Sequence, residues 1–291
     1  MSGPVVVGVD GSVTGERALD WATDEARRRK RTLRVLHAYG WPLPDLPVSP
    51  DRYRAPRPGM SDGELARDVA ERHAARARRA APELTVETVV SGDLPGPALV
   101  TASLDASVVV VGSRGLGSVT ELLLGSVSSH VVAHARVPVV VVRRPADPHA
   151  PVLVGVDGKP ASDRAVGWAF EQAASRRVPL IAVHAWQAPV SRRHGDMLPL
   201  VHDPAMLAKE EARVLTEALT GGREEYPDVV VRACLRHERP AKALLAESTR
   251  AGLLVVGAHG RSEWRGLLLG SVSRHVLHHA GVPVAVVHER R

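Results

Sequence analysis

Val5-Val-Val-Gly-Val-Asp-Gly11 returns as Val152-Leu-Val-Gly-Val-Asp-Gly158, an offset of 147 residues. Trp21 and His37 return as Trp168 and His184 at that same offset. Val110-Val-Gly-Ser-Arg-Gly115 matches Val255-Val-Gly-Ala-His-Gly260 at 145, and Leu122-Leu-Leu-Gly-Ser-Val-Ser128 is identical to Leu267–Ser273. Val137-Pro-Val139 recurs as Val282-Pro-Val284. An offset that drifts by two residues over a whole unit means one domain written twice, and the period is far too long for a solenoid. Prolines 145, 148 and 151 mark the linker, so the expected domains are 1–146 and 147–291.

Within each copy, short valine-rich runs alternate with stretches of helical periodicity. Strands are predicted at 5–9, 33–38, 84–90, 107–111 and 138–142, then at 152–156, 179–184, 228–235, 253–256 and 283–287. Most lack polar alternation, as strands buried on both faces do. The fold class is therefore α/β: a parallel sheet per copy with helices on both faces. Such sheets bind ligands beyond the carboxyl ends of their strands. Residues 40–60, with six prolines and two glycines, and 187–202 interrupt the pattern; they read as plain surface loops or as lids or partner-binding segments.

Composition narrows the partners. The 291 residues hold 38 Lys+Arg against 32 Asp+Glu, and the net charge of +6 divides equally between the copies. Aromatics at 3% count against stacking platforms for single-stranded nucleic acid. The densest basic run, Arg27-Arg28-Arg29-Lys30-Arg31, suits a helix C-terminus better than a nucleic-acid or membrane patch. Cys234 is the one cysteine, so no internal disulfide is expected, and it reads as a small buried filler. No apolar run approaches a bilayer span, and Met1–Asp10 shows no basic-then-apolar leader, so a cytoplasmic location is expected.

The chemistry is carried by glycines. Gly112-Ser-Arg-Gly115 is followed after nine residues by Gly125-Ser126, and Gly257-Ala-His-Gly260 after nine by Gly270-Ser271. Glycines after a buried strand let backbone amides approach an anion. The helical stretch from Val127 adds free amides and a positive dipole end, and the Ser126 hydroxyl is expected to cap that helix or bind phosphate. The plainer reading is a pair of turns inherited by duplication. Gly-x4-Gly-Lys-(Ser/Thr) and Gly-x-Ser-x-Gly are both missing, which excludes a P-loop NTPase and counts against an α/β hydrolase.

This spacing, with the Val-Gly-Val-Asp-Gly opening and the Leu-Leu-Leu-Gly-Ser-Val-Ser block, resembles tandem-domain universal stress proteins of the nucleotide-binding kind. The resemblance implies a Rossmann-like, adenine nucleotide hydrolase-like domain in each copy, five strands in the order 3-2-1-4-5. It implies ATP, with Mg²⁺, in each. Phosphates would lie on Gly112, Gly115, Gly125 and Ser126, and on Gly257, Gly260, Gly270 and Ser271. Adenine would meet the backbone near Ala38 and Ala185, and Val111 and Val256 would line the pocket. Asp10 and Asp157 stand at the edge for nucleotide or metal, Arg114 and His259 beside the phosphates, and Ser128 and Ser273 are secondary candidates. Edge pairing by the last strands would pair the two copies about a pseudo-twofold axis and make a homodimer.

The differences between copies matter too: Arg114 against His259, Ser12 against Lys159, Glu121 against Gly266. They imply two sites of unequal affinity and pH dependence. No paired carboxylates or nucleophile-activating group stand out, so ATP is expected to be held and hydrolysed slowly if at all. The competing readings are a slow ATPase on the same cradle and a nucleotide-free scaffold for a protein partner. His130 and His134, like His275 and His279, have metal-pair spacing without a convincing third ligand, so no metal is assigned to them. Trp21 and Trp168 read as core or interface anchors.

Overall fold

The computed structural model describes residues 3–40, 61–115, 124–145, 147–187, 204–258 and 269–288. The first repeat runs β1 (Val5–Gly8), α1 (Val13–Arg29), β2 (Leu33–Ala38), α2 (Asp62–Ala80), β3 (Val86–Ser91), α3 (Pro95–Ala102), β4 (Val108–Gly112), α4 (Ser126–His134) and β5 (Val139–Val142). The second runs β6 (Val152–Val156), α5 (Pro160–Arg176), β7 (Leu180–Trp186), α6 (Pro204–Glu225), β8 (Val231–His237), α7 (Pro240–Ser248), β9 (Leu253–Gly257), α8 (Ser271–His279) and β10 (Val284–Val287). No described helix is long and apolar enough to cross a membrane.

The continuous valine runs are buried on both faces, as strands sandwiched between helices must be. α1 lays Ala18, Leu19, Ala22 and Ala26 on the sheet, small side chains that bring the helix axis close. The basic run lies at its C-terminal end, where positive charge opposes the negative dipole end. Arg27 pairs with Asp24 at 3.3 Å, and Arg28 and Arg29 both engage the buried Glu25. Lys30 ends the helix in the left-handed region, its N–H turned back to the carbonyls of Ala26 and Arg27.

The chain divides into two compact units. In the first, the strand order is β3-β2-β1-β4-β5-β10. Its first five strands are parallel neighbours in the order 3-2-1-4-5. The order reverses between β1 and β4, and the carboxyl ends there open a crevice. The sixth strand, β10, runs antiparallel along β5, with Val284 opposite Val141 and Val286 opposite Val139. By compactness Leu277–Arg291 therefore groups with Met1–Ala146. Arg143 adds to this seam by donating to the carbonyls of His278 and of Leu277, the latter at 3.0 Å. His288 Nε2 donates to the Val132 carbonyl at 2.7 Å.

In the second unit, Asp147–Val276, the order is β9-β6-β7-β8, all parallel. Its helical layer is keyed by Phe170, fully buried on α5. A Cβ on Gly222 of α6 would lie 2.3 Å from that ring, so α6 crosses there because residue 222 has no side chain. Cys234 is buried and free, as a filler would be. Phe170→Ala should cost about 3–5 kcal/mol in urea unfolding, because the ring's volume cannot be recovered by glycine neighbours.

Candidate functional site

At the switch point of the first unit the chain leaves β1 through Val9-Asp10-Gly11-Ser12. Gly11 sits at φ +82°, open to glycine without strain. Asp10 Oδ1 accepts the Ser12 amide at 3.0 Å, and Ser12 Oγ accepts the Gly15 amide at 3.0 Å, capping α1. The glycine loop then docks on this turn. The Arg114 carbonyl accepts the hydroxyls of Ser12, at 3.4 Å, and of Thr14. A Cβ on Gly115 would stand 2.6 Å from Asp10 Oδ2, so that carboxylate faces the loop. A Cβ on Gly112 would stand 2.8 Å from the Thr14 backbone, so this glycine makes room for α1 itself.

Gly125 closes the loop, its amide donating to the Ser113 carbonyl at 2.9 Å. It is also the N-cap of α4, which starts at Ser126. Sequence reasoning expected Ser126 to cap this helix or bind phosphate; the structure makes it the first helical residue, exposed, and leaves no side-chain cap. The first intrahelical bond is Ser129 N–H to Gly125 at 2.9 Å, so the amides of Ser126, Val127 and Ser128 precede the ladder. No acidic residue occupies this first turn. Ser128 is buried and donates to the Gly112 carbonyl at 2.6 Å, so its hydroxyl braces the loop. Ser113 is fully buried, and its hydroxyl has no hydrogen-bond partner among the described residues.

Burial pushes the Arg143 guanidinium below its ordinary value, and the charges of Arg114 and Arg144 push it the same way. An anion beside Arg114 relieves that crowding. Val111 is buried beneath the loop, and Ala38 ends β2, half-buried. Behind it, His37 Nδ1 donates to the Val9 carbonyl at 2.7 Å. Burial holds His37 below its ordinary 6.5 and His73 adds to the effect, while the Val9 bond and Asp10 oppose it.

The second repeat builds the same turn with different atoms. Gly158 takes φ +71°, Lys159 N–H donates to Asp157 Oδ1 at 3.2 Å, and Asp157 N–H donates to Ser162 Oγ at 3.1 Å. Lys159 precedes α5 without a side-chain cap, and Pro160 fills the first turn. Gly270 N–H closes on the Ala258 carbonyl at 2.7 Å, ahead of Ser271 at the start of α8. Ser273 is buried, donating to the Ala258 and Gly270 carbonyls at 3.1 and 3.0 Å. Val256 is buried before Gly257, and Ala185 before Trp186, whose ring lies 4.4 Å from that of His237. His259, Gly260, Glu121, Gly266 and most of the two irregular loops lie outside the described residues.

Some participants escaped sequence reasoning. Thr14 latches the first loop, yet its counterpart Ala161 has no hydroxyl; Ser113 corresponds to Ala258. The only signal was the mismatch itself. His130 and His134 stack at 4.4 Å, and no described group of three His, Cys, Asp or Glu side chains is placed to hold a metal.

Thr14→Val should cost about 1 kcal/mol and speed hydrogen exchange at the Gly115 amide, because the loop loses a latch bond. The folded chain binds a proton on His37 less well than the unfolded chain does. That contribution to stability is complete above about pH 6.5 and declines as pH falls through 6.5 toward the depressed folded value. His37→Gln should therefore flatten the loss of urea midpoint between about pH 7.5 and 5.5.

The chain matches the universal stress protein family over residues 1–143 and 149–288. It is 40% identical to a universal stress protein of Mycobacterium tuberculosis over 98% of this chain and 97% of that one. It is 36% identical to one of Mycolicibacterium smegmatis at 98% and 97% coverage. The crystal structure of a universal stress protein from Archaeoglobus fulgidus superposes with a TM-score of 0.67 at 21% identity, covering 99% of each chain, which shows the shared fold. With two family matches filling nearly all of its length, the chain belongs to the universal stress protein family as a tandem, two-repeat member.

Proposed function

We propose that each repeat, 1–146 and 147–291, cradles an adenine nucleotide, ATP with Mg²⁺, and that the protein is a nucleotide-dependent regulatory module. The observation that carries this is the first turn of α4: three amides ahead of the helical ladder, no acidic residue, and a glycine loop folded against it. The donor set suits phosphate, since backbone N–H groups at a helix start bind anions without a charged side chain. Arg114 adds charge that forks onto phosphate oxygens. Asp10, facing Gly115, is the carboxylate that suits a divalent cation rather than the phosphates themselves.

In this reading Gly115, Gly125, Ser126 and Arg114 hold the phosphates of the first site, and Ala38 presents backbone to the base. Gly260, His259, Gly270 and Ser271 take the corresponding places in the second, with Asp157 toward the cation and Ala185 toward the base. Gly112 and Gly257 keep the floor clear. Bound nucleotide supplies a compact block of negative charge. The residues that respond are Arg114 and Arg143: neutralising the first stabilises the second, which holds the carbonyls of Leu277 and His278 beside β10. Nucleotide occupancy thereby stabilises the β5–β10 seam, and a ligand shifts a state only through such differential contacts. A cytoplasmic location and a homodimer belong to the same proposal.

Ser126→Asp tests the cradle without a folding confound. An acidic residue in the first turn favours the helix by about 0.3–1 kcal/mol, yet sets negative charge among the proposed phosphate amides. In native mass spectrometry with Mg-ATP, the wild-type chain should carry two nucleotides, the Ser126→Asp chain one and the Ser126→Asp/Ser271→Asp chain none, all equally folded. A wild-type chain that stays bare in Mg-ATP overturns the reading.

A further inference from the structure

At the amino ends of β1, β2 and β3, opposite the cradle, the first unit forms a cavity of about 250 Å³. Lys30, Arg31, Thr32, Arg34 and Glu87 line it, beside the main chain of Gly3-Pro4. Its walls are held in place. The Lys30 and Arg31 amides donate to the Arg27 and Ala26 carbonyls at 3.2 and 2.9 Å, so the end of α1 fixes this pair. Arg34, on β2, is pinned by both oxygens of Asp105 at 2.9 and 3.0 Å and reaches Glu87 on β3 at 3.4 Å. The Pro4 carbonyl accepts the amide and the hydroxyl of Ser107 at 2.8 and 3.0 Å. A Cβ on Gly3 would lie 1.9 Å from the Asp105 carbonyl oxygen, so only a residue without a side chain closes that wall.

Donors on this lining are unspent. Among the described residues, Lys30 has no ion-pair partner, the Thr32 hydroxyl has no hydrogen bond, and Arg34 uses Nε and Nη1 but not Nη2. The helix dipole accounts for cations at the end of α1, but Arg31 and Arg34 lie past the helix, before and on β2. The second repeat separates the two requirements. Arg177 ends α5 at φ 57° as Lys30 ends α1 at φ 51°, so a cation is kept at the helix end. Val178, Pro179 and Ile181 then replace Arg31, Thr32 and Arg34, and Val178 and Ile181 are buried. Arg232 is in register with Ile181, where Glu87 is in register with Arg34. The charged cavity therefore belongs to the first repeat, and helix capping does not require it.

We propose that this cavity binds a small hydroxylated phosphomonoester, a sugar phosphate, with its phosphoryl group on Lys30, Arg31 and Arg34 and its hydroxyls on Glu87. Three cations against one carboxylate match the charge of about −1.5 to −2 that a phosphomonoester carries at pH 7. Guanidinium groups fork onto phosphoryl oxygens. An ionised carboxylate only accepts, so Glu87 receives ligand hydroxyls and turns phosphoryl oxygens away from its side of the cavity. The volume falls just below the roughly 300 Å³ at which pockets for drug-sized ligands begin, so the occupant is a single sugar unit. β2 runs about 20 Å from Thr32 to Ala38, which makes this site separate from the cradle and independent of the nucleotide reading.

Calorimetric titration of the full chain with ribose 5-phosphate at about 0.15 M salt tests the site. The wild type should bind one equivalent saturably. Lys30→Asn/Arg31→Gln should bind about tenfold more weakly or worse while staying folded by circular dichroism, since asparagine accepts the left-handed backbone at residue 30. Ser126→Asp/Ser271→Asp, altered only in the proposed cradles, should bind as the wild type does. Inorganic phosphate should bind more weakly than ribose 5-phosphate, and ribose should not compete. A wild-type chain that takes up no ribose 5-phosphate at millimolar concentration overturns the site, and this needs no variant to fold. Binding that survives Lys30→Asn/Arg31→Gln, or that disappears in Ser126→Asp/Ser271→Asp, overturns it too, because the ligand then sits elsewhere. Inorganic phosphate that binds as tightly as ribose 5-phosphate overturns the role given to Glu87.

Discussion

The constraint on which the first site depends is the absence of a side chain at Gly112. The end of β4 and the start of α1 meet there, and any Cβ would enter the Thr14 backbone at 2.8 Å. With the two elements in contact, Ser12 and Thr14 reach the Arg114 carbonyl, Asp10 faces Gly115, and Ser128 bonds back to Gly112. A wider separation would leave the loop without its latch and the carbonyls without partners, each costly if buried. The glycine is thus first a packing residue. The proposed anion site is what close packing leaves behind: amides ahead of the helical ladder.

The duplication gives an internal control. Both repeats keep a glycine at positive φ after the first strand, a carboxylate two residues from a main-chain amide, and a buried serine bracing the second half of the loop. They differ where polar side chains secure the turn. The first uses Ser12 and Thr14 across to Arg114; the second uses Ser162 locally and His184 with Glu211 from the neighbouring strand and helix. One geometry is held by hydroxyls reaching across the loop, the other by a local serine and a histidine–carboxylate pair.

The strands and the glycine spacing were legible because valine runs and duplicated motifs are local signals, whereas the strand order came only with the family resemblance. The two-repeat reading needed only identical phrases at a steady offset. What could not be read was side-chain direction. A serine two places into a helix after glycine reads as a ligand, but helix phase turns Ser128 and Ser273 inward. The Thr14 latch joins residues 100 apart, and nothing near Thr14 announces Arg114. Glu211 lies on α6, whose phase relative to β7 is invisible in a linear pattern. Likewise a valine run declares burial without naming the edge it will meet, so the β10 grouping came from the pairing with β5.

That pairing orders events during synthesis. β5 is made long before the strand that covers its edge, since Val142 and Val284 are separated by an entire repeat. At translation rates of about 5–20 residues/s, roughly 7–30 s pass between the two. Through that interval the nascent first repeat presents an unpaired, all-valine edge, the kind that recruits strands from other chains. On a crowded polysome the neighbouring nascent chain offers the same edge at the same time. Slowing translation within the second repeat therefore lengthens a window of misassembly, although it leaves the finished protein unchanged.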